Sequence, residues 1–248
     1  MKTVRQTLLD RRSIRRYERE AVTPQQLDFI YEAIRNTPTS YNAQQFSVID
    51  ITDQPLKERL YELTGQKQIK TCSHFMVFCG DFHRISEAAR AKGIDMPAIW
   101  DTADGLILAT VDATLAMMSA VVAAESLGLG TCPIGYARTA APEAFAEELH
   151  LPQHVYVVCG LAIGVPRELP DIKPKLPSSV TIHHDRYSDK GITDAVIEYD
   201  RLIEQYNATR SGSKTTNDWV EHMIGYYHEA MNYTMLSSLA KRGFTPGR

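Results

Sequence analysis

A layered fold of the α/β or α+β class, in which helices alternate with buried strands, follows from three features of the sequence. Phe75-Met76-Val77-Phe78-Cys79 and the run from Val155 to Gly164 are apolar at strand length, as strands covered on both faces are. Segments of helical apolar periodicity stand before, between and after these runs. With 44% hydrophobic and 23% charged residues among 248, the chain can also bury a sizeable core without disulfides.

The elements are justified in chain order. Thr23-Pro24-Gln25-Gln26 predicts a helix start, with Thr23 as N-cap, Pro24 in the first position and Gln26 closing a capping box. Leu27, Ile30, Tyr31 and Ile34 then recur at helical spacing until Asn36-Thr37-Pro38 ends the run. Phe46 to Ile51 predicts a strand, and Pro55 to Leu63 a short amphipathic helix stopped by Gly65. A long helix is expected from about Ile99 to Leu127, with Gly128 just past its end. It carries two stripes: Leu108, Val111, Leu115, Met118 and Val122, and Ala109, Ala113, Ala116, Ala120 and Ala123. Such a helix is packed on both sides. The alanine stripe permits close approach of another helix, from the same chain or from a second copy. A short strand near Gly130 to Gly135, a helix from Pro142 to Leu149 and a last helical region from Trp219 to about Lys241 complete the pattern. The polar stretch 210–218 reads as a mobile loop, and no repeat or linker divides the chain, so one domain over 1–248 is expected, with a helical extension over 219–242.

Composition narrows the function classes. The net charge is −3, and no basic stripe suits a nucleic-acid surface. No apolar run follows Met1 to Arg5, so neither a secretory signal nor a transit peptide is expected. The four cysteines match no zinc or redox spacing and read as reduced thiols of the cytoplasm. The sequons at Asn207 and Asn232 are discounted with them. Gly105 to Ala124 has the length of a membrane span. Asp112 near its middle and flanks without lysine or arginine argue for a buried core helix instead.

Against this acidic background, Arg11-Arg12-Ser13-Ile14-Arg15-Arg16 sets four guanidinium groups in six residues. Guanidinium matches phosphate in a bidentate fork, and a serine hydroxyl adds a hydrogen bond. The knot therefore points to the phosphate of a nucleotide-like cofactor; a solvated charged face and a kinase target are the alternatives. Other constellations are poor. His183-His184-Asp185 has no third metal ligand at a regular offset, and His222 and His228 fall on opposite helix faces. No nucleophile elbow, Walker loop or dinucleotide-binding fingerprint is present. An enzyme of this sequence has its chemistry in a cofactor.

Seven segments, in order, carry a family resemblance. They are Arg12-Ser13-Ile14-Arg15, the run from Pro38 to Gln45, Leu63-Thr64-Gly65-Gln66, the run from Val77 to Phe82, the run from Ala123 to Gly130, Pro133-Ile134-Gly135 and Lys173-Pro174-Lys175-Leu176-Pro177. Over nearly its whole length the chain resembles the flavin-dependent nitroreductases, in the group of NADPH nitroreductases and NADPH–FMN oxidoreductases. The resemblance implies an α+β three-layer sandwich, a central mixed sheet flanked by helices, in an intertwined homodimer. It implies a non-covalent FMN held by Arg11, Arg12, Ser13 and Arg15, with Gln66, Ile134 and Gly135 along the ring, Lys173 and Lys175 adding charge, and Thr39, Ser40 and Asn42 reaching in from the other subunit. NADPH is implied as co-substrate, its 2′-phosphate met by Arg210 and Lys214. The family commonly has histidine at Arg11, arginine at Lys175 and a second glycine at Tyr136. The expected activity is ping-pong transfer of hydride from NADPH, and also NADH, to nitroaromatics, quinones or free flavin. A flavoenzyme with one dedicated substrate and a non-catalytic flavin sensor are the alternatives.

Overall fold

The structure, a computed structural model, describes residues 1–211, 214–245 and 247. The chain runs α1 (Val4–Asp10), α2 (Pro24–Arg35), β1 (Phe46–Ile51), α3 (Gln54–Thr64), α4 (Gln68–Thr71), β2 (His74–Asp81), α5 (His83–Lys92), α6 (Ala103–Ser126), β3 (Gly130–Ile134), α7 (Tyr136–Thr139), α8 (Pro142–Glu148) and β4 (Val155–Gly164). It continues with α9 (Ser178–Thr181), α10 (Ile192–Thr209), α11 (Trp219–Ala230) and α12 (Met235–Lys241). Residues 1–169 and the chain from Thr234 on form one compact unit, and residues 170–233 a second.

In the first unit the strands pair antiparallel in the order β1-β2-β4-β3. Among the described residues, parallel pairing, which a mixed sheet requires, is confined to a single bridge between Ser13 and Thr131. Side chains of β2 alternate between two cores, as the period of two dictates. Met76 and Phe78 pack under α2 and α6, with Leu239 and Phe244 of the C-terminal stretch. Phe75, Val77 and Cys79 pack on the other face with Leu60 of α3, Phe145 of α8, Ile14 and Tyr17. The result is helices, sheet, helices: a three-layer α+β sandwich.

Local chemistry sets the ends of these elements. The Thr23–Gln26 capping box opens α2, as the sequence predicts, and Thr3–Gln6 forms a second one on α1. Gly65 closes α3 at φ 68°, where an L side chain would be strained. The single helix expected from Ile99 is instead a 3₁₀ turn (Ile99–Asp101) followed by α6, because the Thr102 hydroxyl caps Gly105 N at 3.0 Å. A Cβ at Gly105 would lie 2.1 Å from the Ile99 carbonyl oxygen, so the junction depends on glycine. The alanine stripe of α6 faces its own chain: Ala109, Ala113, Ala116 and Ala120 are fully buried. The large stripe is the outward one, leaving Val111, Leu115 and Met118 between 40% and 47% exposed. Small side chains let the helix sit close to the sheet, which turns the bulky ones to the far side. α6 is the one described helix with the length and composition of a membrane span, but its buried alanines make it the core helix of this unit.

In the second unit, α10 and α11 meet through Tyr199 and Trp219, whose rings stand edge to face at 5.5 Å. Asp200 accepts hydrogen bonds from the Trp219 and Val220 amides and so caps α11.

Candidate functional site

The basic segment leaves α1 at Arg11 in extended conformation and is fastened to β3. Ile14 N donates to Thr131 O at 2.8 Å, and Arg15 N donates to Glu168 Oε1 at 2.8 Å. Ile14 and Tyr17 point into the core, at 4% and 7% exposure. Arg11, Arg12 and Ser13 are half-buried, and Arg15 and Arg16 are exposed. Tyr17 anchors the segment from beneath, its hydroxyl placed to donate to Ile14 O at 2.7 Å and Ala162 O at 3.3 Å. Burial pushes that phenol far above its usual range, so it stays a donor. The outcome is a run of cationic side chains held on a rigid strand.

β3 brings further groups to the same corner. Cys132 follows Thr131, and burial raises its thiol pKa while the Arg15 and Arg11 charges pull it down. Gln68 Nε2 stands 4.0 Å from Cys132 Sγ and donates to Gln66 Oε1 at 2.9 Å. The structure places Arg11, Arg15 and Gln66 toward one end of β3, together with Gln68, which no sequence pattern marked. Ile134 is buried at the other end of the strand, whereas a Cβ built on Gly135 meets no atom within 4 Å. Guanidinium and amide donors thus stand toward one end of β3, and open space lies just past its other end.

Glu125, near the end of α6, backs this corner. It is only 6% exposed, and its Oε1 accepts from the Thr131 hydroxyl at 2.5 Å. Burial raises its pKa; the Thr131 bond and the charges of Arg11, Lys2 and Arg12 oppose that shift. A carboxyl raised in the folded state contributes stability that is complete below its unfolded pKa and fades as pH rises through the folded value. Relative to wild type, Glu125→Gln is therefore expected to gain stability as pH rises above the ordinary carboxylate range and then to level off. Urea midpoints across that rise measure it, and a pH-independent difference would contradict it.

Thr39, Ser40 and Asn42 lie elsewhere, in a tight loop just before β1. Phe46, the first residue of β1, pairs with Gly80 of β2, whereas Thr131 is aligned through Ile163 with His74. The two groups thus occupy diagonal corners of the sheet. They are three strand spacings apart, roughly 14 Å, and six residues along β2, roughly 20 Å. One chain presents the two halves of the expected pocket on opposite sides.

The other expected residues belong to the second unit. Lys173 and Lys175 are exposed on the stretch before α9, where Pro174 O accepts from the Tyr199 hydroxyl at 3.1 Å. Arg210 follows α10, and Lys214 is exposed beyond it. The expected mobile loop is tied at its base: Asn207 O accepts from Thr215 N, and Asn207 Nδ2 donates to Asn217 O. Asp171 also accepts from the amide and hydroxyl of Ser211, at 2.7 and 2.8 Å. Residues 212 and 213 of that loop lie outside the described residues. Of the histidines set aside earlier, His183 lies tilted against Tyr187, their ring centroids 4.4 Å apart, and His222 Nδ1 lies 3.3 Å from Asn217 Nδ2.

The model of the nitroreductase family matches residues 8–165, and that of the nitroreductase family C-terminal domain matches residues 173–246. The chain is 36% identical over 246 residues to an FMN reductase [NAD(P)H] of Bacillus subtilis, covering 98% of each chain. It is 35% identical over 238 residues to an oxygen-insensitive NADPH nitroreductase of Salmonella typhimurium, covering 96% of each. A solved structure of the hypothetical oxidoreductase YcnD from Bacillus subtilis superposes with a TM-score of 0.94 at 35% identity, covering all of both chains.

Proposed function

The chain belongs to the nitroreductase family, and from that premise we propose that it is a homodimeric, FMN-dependent oxidoreductase using NADPH, and less well NADH. The observation that carries this reading is β3 itself, with Arg11–Arg15 bridged to it at Thr131, Gln66 near its Cys132 and open space at Gly135 just past its far end. When bound, FMN would supply the redox chemistry, hydride transfer between NADPH and quinones, nitroaromatics or free flavin in a ping-pong cycle. The residues of the chain supply grip and charge. Arg11, Arg12, Arg15 and Ser13 would hold the phosphate, because guanidinium forks and a hydroxyl match its oxygens. Gln66, Ile134 and Gly135 would line the ring. Lys173 and Lys175 would add positive charge where negative charge develops. Arg210 and Lys214 would meet the 2′-phosphate of NADPH, on a loop braced by Asp171 and Asn207.

A second copy completes the pocket by bringing its Thr39, Ser40 and Asn42 to the first copy's arginines. Two observations support the dimer: the diagonal placement of those groups, and an apolar groove of about 570 Å³ lined by Val4, Phe29, Leu115, Met118 and Val122. Four free thiols, none in a disulfide, suit a cytoplasmic setting.

The testing experiment is anaerobic reduction of FMN-loaded protein, followed in the visible spectrum with each nicotinamide. Bleaching by NADPH, faster than by NADH, is expected. In steady state, Arg210→Ala is expected to raise the NADPH Michaelis constant roughly tenfold or more, the scale of one lost charge-assisted hydrogen bond, and to leave NADH nearly unchanged. Protein that binds no FMN would overturn the reading. Equal effects on both coenzymes would remove the loop from 2′-phosphate recognition.

A further inference from the structure

Asp112 interrupts the most apolar helix of the chain and is completely buried, yet neither the hydride chemistry nor the phosphate grip uses it. Both of its oxygens accept backbone hydrogen bonds from the loop before β1: Oδ1 from Ser40 N at 3.1 Å and Oδ2 from Gln45 N at 3.0 Å. The span between those amides is strained. Tyr41, Asn42 and Gln44 all lie in the left-handed region, at φ 54°, 55° and 53°, and none is glycine. The loop's own bonds include Asn42 N to Thr39 O at 3.1 Å, Ala43 N to Ser40 O at 2.9 Å and Gln44 N to the Thr39 hydroxyl at 3.2 Å. These bonds tighten the loop without fixing it to the sandwich. Arg84 holds the downstream end, donating to Gln44 O and Phe46 O at 2.5 and 2.6 Å. Asp112 ties the upstream and downstream amides to one side chain of α6.

We propose that Asp112 is a positioning residue that presets the Thr39–Gln45 loop for contact with the flavin bound mainly by the partner subunit. The inference rests on the FMN reading above, and it explains why a carboxyl occupies the middle of an apolar helix. A buried carboxyl is costly unless its oxygens are satisfied, and here backbone amides satisfy them. Rigid presentation of Thr39, Ser40 and Asn42 lowers the ordering cost of binding.

The test compares Asp112→Asn with Val121→Ala, a buried truncation nine residues further along the same helix. Hydrogen exchange over residues 39–46 and the FMN dissociation constant are read on the full chain, together with melting temperature. Asp112→Asn sets an amide donor against a backbone N–H. It is expected to speed exchange of the Ser40 and Gln45 amides at least tenfold and to weaken FMN at least tenfold. Val121→Ala is expected to change both less than twofold. Unchanged exchange and affinity in Asp112→Asn would overturn the proposal, as would equal loosening by Val121→Ala. If Asp112→Asn does not fold, wild-type exchange decides: the Ser40 and Gln45 amides must be protected well above Asn42 and Ala43, and rapid exchange refutes the clamp. Wild-type protein that protects these amides but binds no FMN would refute the cofactor reading and leave the clamp standing.

Discussion

Replacing Gly135 by alanine is expected to leave the apoprotein intact while weakening flavin binding by roughly 10- to 100-fold, the cost of about 1–3 kcal/mol that overpacking imposes. The two halves of that expectation come from one observation. Gly135 has φ −66° and ψ −30°, right-handed values that any residue adopts, and a Cβ there meets no protein atom within 4 Å. Nothing in the fold therefore requires glycine. Alanine at such a position stabilises by about 0.4–1 kcal/mol through the unfolded chain. A methyl group in that space can collide only with something the protein binds. If the space receives the flat ring, FMN and riboflavin weaken in the same proportion, because the phosphate is not involved. Thermal melting of the apoprotein and flavin-fluorescence titration read the two halves separately. Undiminished affinity for both ligands would remove the Ile134–Gly135 backbone from the ring-binding face.

Sequence legibility varied with the range of the forces involved. β2 and β4 were readable from runs of apolar residues, since burial on both faces leaves few polar positions to confuse the pattern. α2 was readable because Thr23, Pro24 and Gln26 write its capping box in consecutive residues. α1, α5 and α10 were not anticipated. The first is only seven residues long, and α5 buries none of its side chains, so neither develops a strong stripe. α10 does carry a signal, since Val196, Tyr199, Ile203 and Tyr206 recur at three- and four-residue steps. In α6 both stripes were visible, but not which one faced inward. That choice depends on how close the sheet lies, a property of the assembled sandwich.

The candidate site divides along the same line. The arginine knot stood out because a local charge contrast needs no tertiary information. Gln68 and Glu125 join that corner only through the docking of residues 13–15 on β3, across more than a hundred positions of sequence. Asp112 was noticed as an anomaly in an apolar helix. Its partners, about seventy positions away, could not be inferred from spacing.

Gly130→Ala is expected to act on the other half of the flavin, through the segment proposed to grip its phosphate. A Cβ at Gly130 would lie 2.8–2.9 Å from three side-chain atoms of Ile14, closer than side chains tolerate. Ile14 cannot retreat cheaply: it is 4% exposed, and its amide is bonded to Thr131. Either the core absorbs the methyl, at about 1–3 kcal/mol of stability, or Ile14 moves and carries Ser13 and Arg15 with it. Both responses lower the melting temperature, and the second also misplaces the guanidinium groups. FMN is therefore expected to lose more affinity than riboflavin, so that the ratio between them falls several-fold, whereas Gly135→Ala leaves that ratio unchanged. Truncating Ile14 to alanine removes two of the three clashing atoms. In a double-mutant cycle, Gly130→Ala and Ile14→Ala should cost less together than separately, by roughly 0.5–3 kcal/mol. Additive costs, or equal losses for FMN and riboflavin, would separate the β3 contact from the phosphate grip and leave the arginines held by some other support.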